Sequence, residues 1–151
     1  MDKLKKIKSK VAFLGYRVEE ISFQANDQFV SENKEISINF DITAHINIIV
    51  EERMVVVTLE ATVFKDPIEN SYPFSMAIKI SGGFQSEDDI SPEKLGELAE
   101  INGTATLFPF LRSIVAGVCA QANVSPVVLP LINIYSLMQE QKNIKAQNVI
   151  E

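Results

Sequence analysis

Histidine and cysteine, two side chains often used in nucleophilic and acid-base catalysis, are scarce in this 151-residue chain. The chain has one histidine, His45, and one cysteine, Cys119, and a nucleophile needs a base beside it to be catalytic. His45 falls on the polar side of an alternating strand pattern, whereas Cys119 falls in a helical pattern with no histidine near it in sequence. We therefore expect an exposed strand histidine, a buried or interface thiol, and no catalytic residues.

Two short motifs are of types that bind ligands. Gly82-Gly83 lacks the further glycine, the lysine and the hydroxyl of a phosphate-binding loop, and is more typical of the end of a strand. The acidic run Glu87-Asp88-Asp89 lacks the ligand spacing of a calcium loop and is typical of a solvated loop. The sequence thus predicts neither a cofactor nor a metal site.

The composition is that of one globular domain. Hydrophobic residues make up 46% of the chain and charged residues 23%. The net charge of -6 argues against nucleic acid, whose affinity depends on neutralising phosphates. We expect a lysine-rich N-terminal segment at residues 1–10, a single domain at 11–142 and a tail at 143–151.

The expected location is the cytoplasm. A single cysteine forms no internal disulfide, which agrees with a reducing compartment. The first residues lack the apolar stretch of a secretory signal, and no uninterrupted apolar run is long enough to cross a bilayer. We expect no membrane insertion.

Hydrophobic periodicity predicts four strands followed by helices. Period-two patterns predict strands at Val11 to Gln24 with a bulge near Gly15, at Ile36 to Ile48, at Met54 to Phe64, and at Phe74 to Ile80 with Gly82-Gly83 closing the last. Glu51-Glu52-Arg53 is expected to form a turn between the second and third strands. Four strands without intervening helices indicate an antiparallel sheet with helices on one face, the α+β class.

The helices are marked by capping residues and by a period of about 3.6. Ser91 caps a short helix that is expected to end before the turn dipeptide Asn102-Gly103. A long amphipathic helix follows, with Thr106 as its cap, and carries Leu107, Phe110, Leu111, Ile114, Val115 and Val118. A last helix begins near Leu131. The long helix has more than one apolar side, which favours self-association.

Several of these segments resemble the SecB family. Leu107 to Arg112 is similar to the family's Leu-Phe-Pro-Tyr-x-Arg, which begins the long helix, and Leu129 to Ile134 is similar to its Leu-x-Pro-x-Asn-Phe. Glu20 to Phe23 and Gly82 to Phe84 resemble the family's Asp-Ile-Ser-Phe-Glu and Gly-Gly-Ile-Phe. The resemblance runs from about Phe13 to Met138.

The resemblance implies an ATP-independent chaperone, a holdase, that binds unfolded or precursor polypeptides in hydrophobic grooves and assembles as a homotetramer, a dimer of dimers. It implies a groove lined by Phe23, Phe84, Ile134, Leu137 and Met138, and an assembly surface that includes Phe108, Phe110, Arg112 and Cys119. Export-type members hand their clients to the SecA motor through acidic residues on the sheet.

This chain departs from the family at the motor-docking surface. Glu20 matches one of the docking acids, but Gln24 replaces the second, and Lys79 lies in the strand where another acid is expected. These departures weigh against delivery to SecA. A dedicated chaperone of one client, such as an antitoxin, and a non-chaperone binding or scaffold domain therefore stay open as alternatives, while an enzyme has no supporting residues.

Overall fold

The chain forms one antiparallel sheet with helices on one face, as the α+β prediction requires. The structure, a computed structural model, describes residues 11–31, 35–86, 89–134, 136–137 and 139–140. The sheet order is β1-β4-β3-β2, formed by β1 (Val11–Ala25), β2 (Phe40–Ile49), β3 (Met54–Val63) and β4 (Phe74–Ser86). The helices are α1 (Pro67–Asn70), α2 (Pro92–Leu98) and α3 (Thr104–Gln121).

The two central strands carry the core of the sheet. Val55, Val57, Leu59, Ala61 and Val63 of β3 have no exposed surface, and the residues between them are half-buried. Phe74, Met76, Ile78 and Ile80 of β4 are buried in the same alternating manner. The strict period of two therefore places one apolar face of the sheet inward, as predicted.

Helix α3 covers this inner face. Leu107, Leu111, Val115 and Cys119, spaced four residues apart, are all 0% exposed. Residues at this spacing form one row along a helix, so a single side of α3 meets the sheet. The row joins the two layers into one hydrophobic core.

The predicted turn at Asn102-Gly103 is wrong, because the helical path is unbroken there. A π-helical turn, Ala99–Gly103, connects α2 to α3. The Oγ1 of Thr104 donates to the carbonyl of Glu100 at 2.7 Å, and the Oγ1 of Thr106 donates to the carbonyl of Asn102 at 2.7 Å. Thr106 thus bonds back to the preceding turn instead of capping a new helix.

Packing explains why the turn dipeptide stays helical. A β-carbon at Gly103 would lie 2.9 Å from Val57 Cγ2 and 3.1 Å from the ring of Phe84. The glycine therefore permits close approach of the helical backbone to the sheet, and the burial gained there outweighs the local turn preference.

The helical run Pro92–Gln121 is long and apolar, although polar residues interrupt it. By length and composition alone it could cross a bilayer. In this fold, however, its inner row packs on the sheet, which is how the core helix of a folded domain behaves.

The strand bounds differ from prediction at two places. β4 continues through Gly82-Gly83 to Ser86, and Gly82 lies beneath Leu107, whose Cδ2 would be 2.6 Å from a β-carbon at that position. Gly82 therefore makes room for α3, and the strand continues through both glycines. β2 starts at Phe40, four residues later than predicted from Ile36, because its partner strand β3 ends at Val63, opposite Phe40.

The predicted bulge in β1 is confirmed at Gly15, which has a φ of 107°. The register with β4 is irregular between Phe13 and Tyr16. This irregularity brings both side chains to one side of the strand, where the ring centroid of Phe110 lies 6.1 Å from Phe13 and 4.4 Å from Tyr16.

Two glycine substitutions test the importance of the close approach. We expect Gly103→Ala to lower the free energy of unfolding by about 1–3 kcal/mol, because the new methyl group overlaps Val57 and Phe84. In Gly117→Ala, within the same helical run, the new methyl group meets nothing within 4 Å. This substitution should raise the free energy of unfolding by about 0.5–1 kcal/mol. Urea unfolding measures both, and equal effects would contradict the close approach.

Candidate functional site

A groove of about 990 Å³ lies at the end of the sheet where β1 finishes and β4 starts. Four stretches form it: residues 26–31 after β1, residues 35–38 before β2, the connection from β3 to β4, and residues 124–127 after α3. All four lie outside the strands or at their ends. The groove is thus a product of chain segments that the sheet brings together.

Aromatic rings form the floor of the groove. The ring of Phe64 lies 4.7 Å from Tyr72 and 5.1 Å, edge-on, from Phe74, and Phe74 stacks on Phe23 at 5.0 Å. Phe64 and Phe74 are buried, and Tyr72 is half-buried. Such rings give large apolar contact area with few rotatable bonds, which suits adhesion to apolar side chains.

The rim carries aliphatic side chains that face solvent. Val30 is 74% exposed, Ile68 63%, Ile38 42% and Ile36 38%. Exposed apolar residues gathered around one concavity are more informative than single ones, because they mark a surface that gains free energy when covered. The polar groups of the lining include Gln28, Glu35 and several serines and asparagines at the edges.

Asn26 holds two walls of the groove together. Its Nδ2 donates to the carbonyl of Tyr72 at 2.8 Å and to that of Pro67 at 3.2 Å, and its backbone N–H donates to the carbonyl of Pro73 at 2.9 Å. Its Oδ1 accepts from the N–H of Gln28 at 3.0 Å. One half-buried amide thereby fixes the exit of β1 against the β3–β4 connection.

Arg112 fixes the segment that follows α3. Its Nε donates to the carbonyl of Leu129 at 2.7 Å, and Leu129 itself is 0% exposed. The half-buried guanidinium thus anchors the extended segment that contributes residues 124–127 to the groove.

The outer face of the sheet is polar and carries acidic and basic side chains. Lys79 lies between Glu20 and Glu60 in the strand register, with its Nζ 3.9 Å from an oxygen of Glu20 and 3.5 Å from an oxygen of Glu60. A basic residue flanked by two acids on adjacent strands reduces the negative potential of this face.

Glu19 has a perturbed carboxylate on the same face. It accepts a hydrogen bond from the hydroxyl of Ser81 and two from Arg17, whose Nη2 and Nε lie 2.8 and 3.1 Å away. These bonds hold the pKa of Glu19 below its ordinary value because they favour the charged form of the carboxylate, and the bond from Ser81 has the largest effect.

Among the described residues, none of those that the family resemblance implies for a groove lines this one. Phe23 stacks on the groove floor. Phe84 is buried near the far end of β4, stacked on Phe13 at 5.3 Å, and Ile134 is buried. Leu137 packs partly buried against the core. Met138 lies outside the described residues.

The expected assembly residues lie on α3 but differ in accessibility. Phe108 is 5% exposed and Cys119 is 0% exposed within the single chain, so both are core residues. Phe110 is half-buried beside Tyr16, and Arg112 bonds to Leu129. Any contribution of Phe108 and Cys119 to assembly is therefore indirect, through the position of the helix.

The residues singled out for chemistry do not meet. His45 is exposed on the outer face of β2, whereas Cys119 is buried beneath the inner face. Within the part of the chain that the structure describes, no group of three or more His, Cys, Asp or Glu side chains is placed to hold a metal ion.

Sequence analysis missed most of the groove lining. Phe29, Val30 and Ile68 lie in segments without periodicity, where no pattern distinguishes a binding residue from a loop residue. One available signal was the presence of large apolar residues in such loops, since loops that need only solvation are mostly polar.

The fold is an antiparallel sheet with helices on one face, and at one end of the sheet a groove joins buried aromatic rings to exposed aliphatic side chains. Comparison with protein families identifies the class of protein. The family model described as "Preprotein translocase subunit SecB" matches residues 6–145. The chain therefore belongs to the SecB family, and this membership supports a chaperone.

Individual proteins are also similar to this chain. The uncharacterized protein MJ0357 of Methanocaldococcus jannaschii is 27% identical over 143 residues, which cover 93% of this chain and 90% of that protein. Among solved structures, the Rv1957 SecB-like chaperone of Mycobacterium tuberculosis, in complex with a ChAD peptide from the HigA1 antitoxin, matches with a TM-score of 0.61 at 14% identity. That match covers 82% of this chain and 91% of the other, and shows the shared fold.

Removal of the Asn26 amide tests how the groove is held. We expect Asn26→Ala to lower the free energy of unfolding by about 1–3 kcal/mol, because three hydrogen bonds of a half-buried side chain are lost. Hydrogen exchange should also accelerate in residues 27–31. Asn70→Ala is the control, since the Asn70 amide bonds only within its own turn, to Lys65 and Asp66. Equal exchange at 27–31 in both variants would contradict the role of Asn26.

A pH titration tests the outer face. Ser81→Ala removes the leading cause of the lowered pKa, so the pKa of Glu19 should rise toward its ordinary value. Because this pKa is lowered in the folded protein, the associated stabilisation is present at neutral pH and is lost as the pH falls through it. Carboxyl NMR measures the pKa, with Ser75→Ala on the same strand as control. An unchanged Glu19 pKa in Ser81→Ala would refute the assignment.

Proposed function

We propose that this protein is an ATP-independent chaperone, a holdase, that binds unfolded or precursor polypeptides in the groove at the end of the sheet. The observation that carries the proposal is the combination of a buried aromatic floor with strongly exposed aliphatic rim residues. An unfolded chain presents apolar side chains without a fixed order, and an apolar groove accepts many such sequences because it requires no precise polar pairing.

The rim supplies an affinity of suitable size. Val30 and Ile68 are each more than half exposed, and covering such a side chain contributes about 1–2 kcal/mol. A few contacts of this kind, with the aromatic floor, hold a client without making its release prohibitively slow.

The charge balance of the outer sheet face favours a client-dedicated role over export. Docking on the SecA motor is the property of family members with an acidic sheet, and Lys79 here lies between Glu20 and Glu60. The related fold that is bound to an antitoxin peptide provides a precedent for a single client. We therefore propose a cytoplasmic chaperone that holds unfolded chains. Export-type members of the family hold such chains for protein export, a role that is not favoured here. The principal alternative to general holding is a role dedicated to one client, such as an antitoxin.

We further propose that the protein is a homo-oligomer, a dimer of dimers, assembled through α3. The outward side of α3 is uncharged and carries small residues, namely Ala105, Ser113, Gly117 and Ala120. The one charged residue of α3, Arg112, bonds inward to the carbonyl of Leu129. A helix side without charge is better suited to a neighbouring helix than to water.

Suppression of aggregation tests the function. Two unrelated denatured proteins are diluted into buffer without nucleotide, and light scattering follows both their aggregation and the mass of the chaperone. We expect protection at near-stoichiometric amounts by a tetramer. A stable oligomer that protects neither protein would refute general holding, and absence of binding to any unfolded chain would refute the groove assignment.

Matched variants locate the activity. Val30→Ser combined with Ile68→Ser should weaken binding of an unfolded chain about tenfold or more, because two exposed aliphatic contacts are lost. Leu131→Ser is the control, since Leu131 is 86% exposed but lies outside the groove lining. Equal losses in both would show that exposed apolar surface in general, and not the groove, binds the client.

A further inference from the structure

Strand β2 leaves one backbone edge open. It is the last strand in the order β1-β4-β3-β2, and β3 occupies only one of its sides. Among the residues that the structure describes, no backbone hydrogen bond outside the sheet reaches Phe40–Ile49. Unpaired N–H and C=O groups in such a row form a template for another extended chain.

The register identifies which groups face outward. The N–H of Phe64 donates to the carbonyl of Asn39 at 2.9 Å, so Asn39 and Phe64 form a hydrogen-bonded pair. The backbone N–H and C=O groups of successive residues point to opposite sides of an antiparallel strand, so those of Thr43 and His45 bond to β3. The intervening residues direct their N–H and C=O groups outward, and these are Phe40, Ile42, Ala44, Ile46 and Ile48.

This edge lacks the usual protection against strand addition. From Ile36 to Val50 the sequence has one charged residue, Asp41, and neither proline, glycine nor lysine. The pairing of β2 with β3 is also regular throughout. The opposite edge, β1, is interrupted by two register irregularities and carries several charged residues. β2 is therefore the better template.

The open edge continues directly from the groove. Glu35, Ile36 and Ile38 line the groove, and Phe40 begins β2 two residues later. Ile48, at the other end of the strand, is 37% exposed, and Val50 just beyond it is 60% exposed. An extended chain that leaves the groove along residues 35–38 thus meets a row of free backbone groups with apolar side chains at both ends.

We propose that a client polypeptide held in the groove extends along β2 and pairs with its outer edge as a fifth strand of the sheet. The inference rests on the proposed holding function and adds to it the mode of recognition. Backbone pairing needs no particular side chains, so it adds affinity for any client segment that can become extended.

The same geometry defines the preferred client chemistry. The outward-bonding residues of β2 direct their side chains to the inner side of the sheet, where Ile46 and Ile48 are incompletely covered. Alternate side chains of an added strand would lie beside them. A preferred segment therefore alternates β-branched or aromatic residues with polar ones and contains no proline, which lacks the N–H needed for pairing.

Residue-resolved hydrogen–deuterium exchange tests the inference on the unmodified protein. The probe is reduced, carboxamidomethylated ribonuclease A, a chain that stays unfolded and soluble. We expect saturating probe to slow exchange of the outward amides of Ala44, Ile46 and Ile48 about tenfold or more, since each acquires a carbonyl acceptor. The amides of Thr43 and His45 already pair with β3 and should change little.

A proline variant tests the same edge independently. Ala44→Pro removes one outward N–H and blocks the approach of a strand, while it leaves the bonds to β3 in place. We expect it to weaken probe binding about tenfold, whereas Ala44→Val, which keeps the N–H, should not. Unchanged protection of Thr43 in Ala44→Pro verifies that the sheet persists.

The outcomes separate this inference from the function on which it rests. Probe binding that protects the groove residues but leaves the outward amides of β2 unchanged would overturn strand addition and retain the holding function. Absence of probe binding would overturn both. Protection of the outward amides that already exists without probe and increases with protein concentration would assign the edge to a second copy of this chain, and would also overturn the inference.

Discussion

The packing of α3 on the inner face of the sheet is the interaction on which the other features depend. The row from Leu107 to Cys119 is completely buried against the apolar side of β3 and β4. Both Gly82 and Gly103 lie where a side chain would collide with the opposing layer, so the two backbones approach closely. This contact fixes the direction of α3, and with it the place where the chain after α3 returns to the sheet.

The groove follows from this placement, because it lies where the two-layer core ends. The chain after α3 is extended and is fixed by the bond from Arg112 to the carbonyl of Leu129. The exit of β1 is fixed to the β3–β4 connection by Asn26. Between these anchors the buried rings of Phe64 and Phe74 contact each other, and Phe64 contacts the half-buried Tyr72, so apolar contacts run from the core toward the rim. A binding surface supported by a rigid core needs little reorganisation to accept a client.

The two faces of the sheet have different roles. The inner face is apolar and covered by α3, whereas the outer face carries alternating charges and hydroxyl groups, with Lys79 between Glu20 and Glu60. Lys79 offsets part of the negative charge of the outer face. The exposed large apolar side chains lie instead mainly on β1, around the groove and at the far end of β2. A protein of this kind interacts through its apolar regions, which is consistent with a chaperone of the SecB family.

The sequence by itself determined the succession of four strands and then helices, the inward face of the alternating strands and the burial of Leu107, Leu111 and Val115, since periods of two and 3.6 are local properties of the chain. It did not place Phe108 and Cys119 in the core, where the packing of α3 on the sheet buries them. It also determined the bulge at Gly15 and the cap at Ser91, whose Oγ accepts from the N–H of Lys94 at 3.2 Å. The tertiary structure alone decided the rest. Asn102-Gly103 is helical because close packing on Val57 outweighs its turn preference, and β2 starts at Phe40 because β3 ends opposite it. The groove lining was decided in the same way. Phe29 and Val30 are far from Ile68 in the chain, and all three lie in segments without a pattern, so only the assembled sheet brings them to one surface.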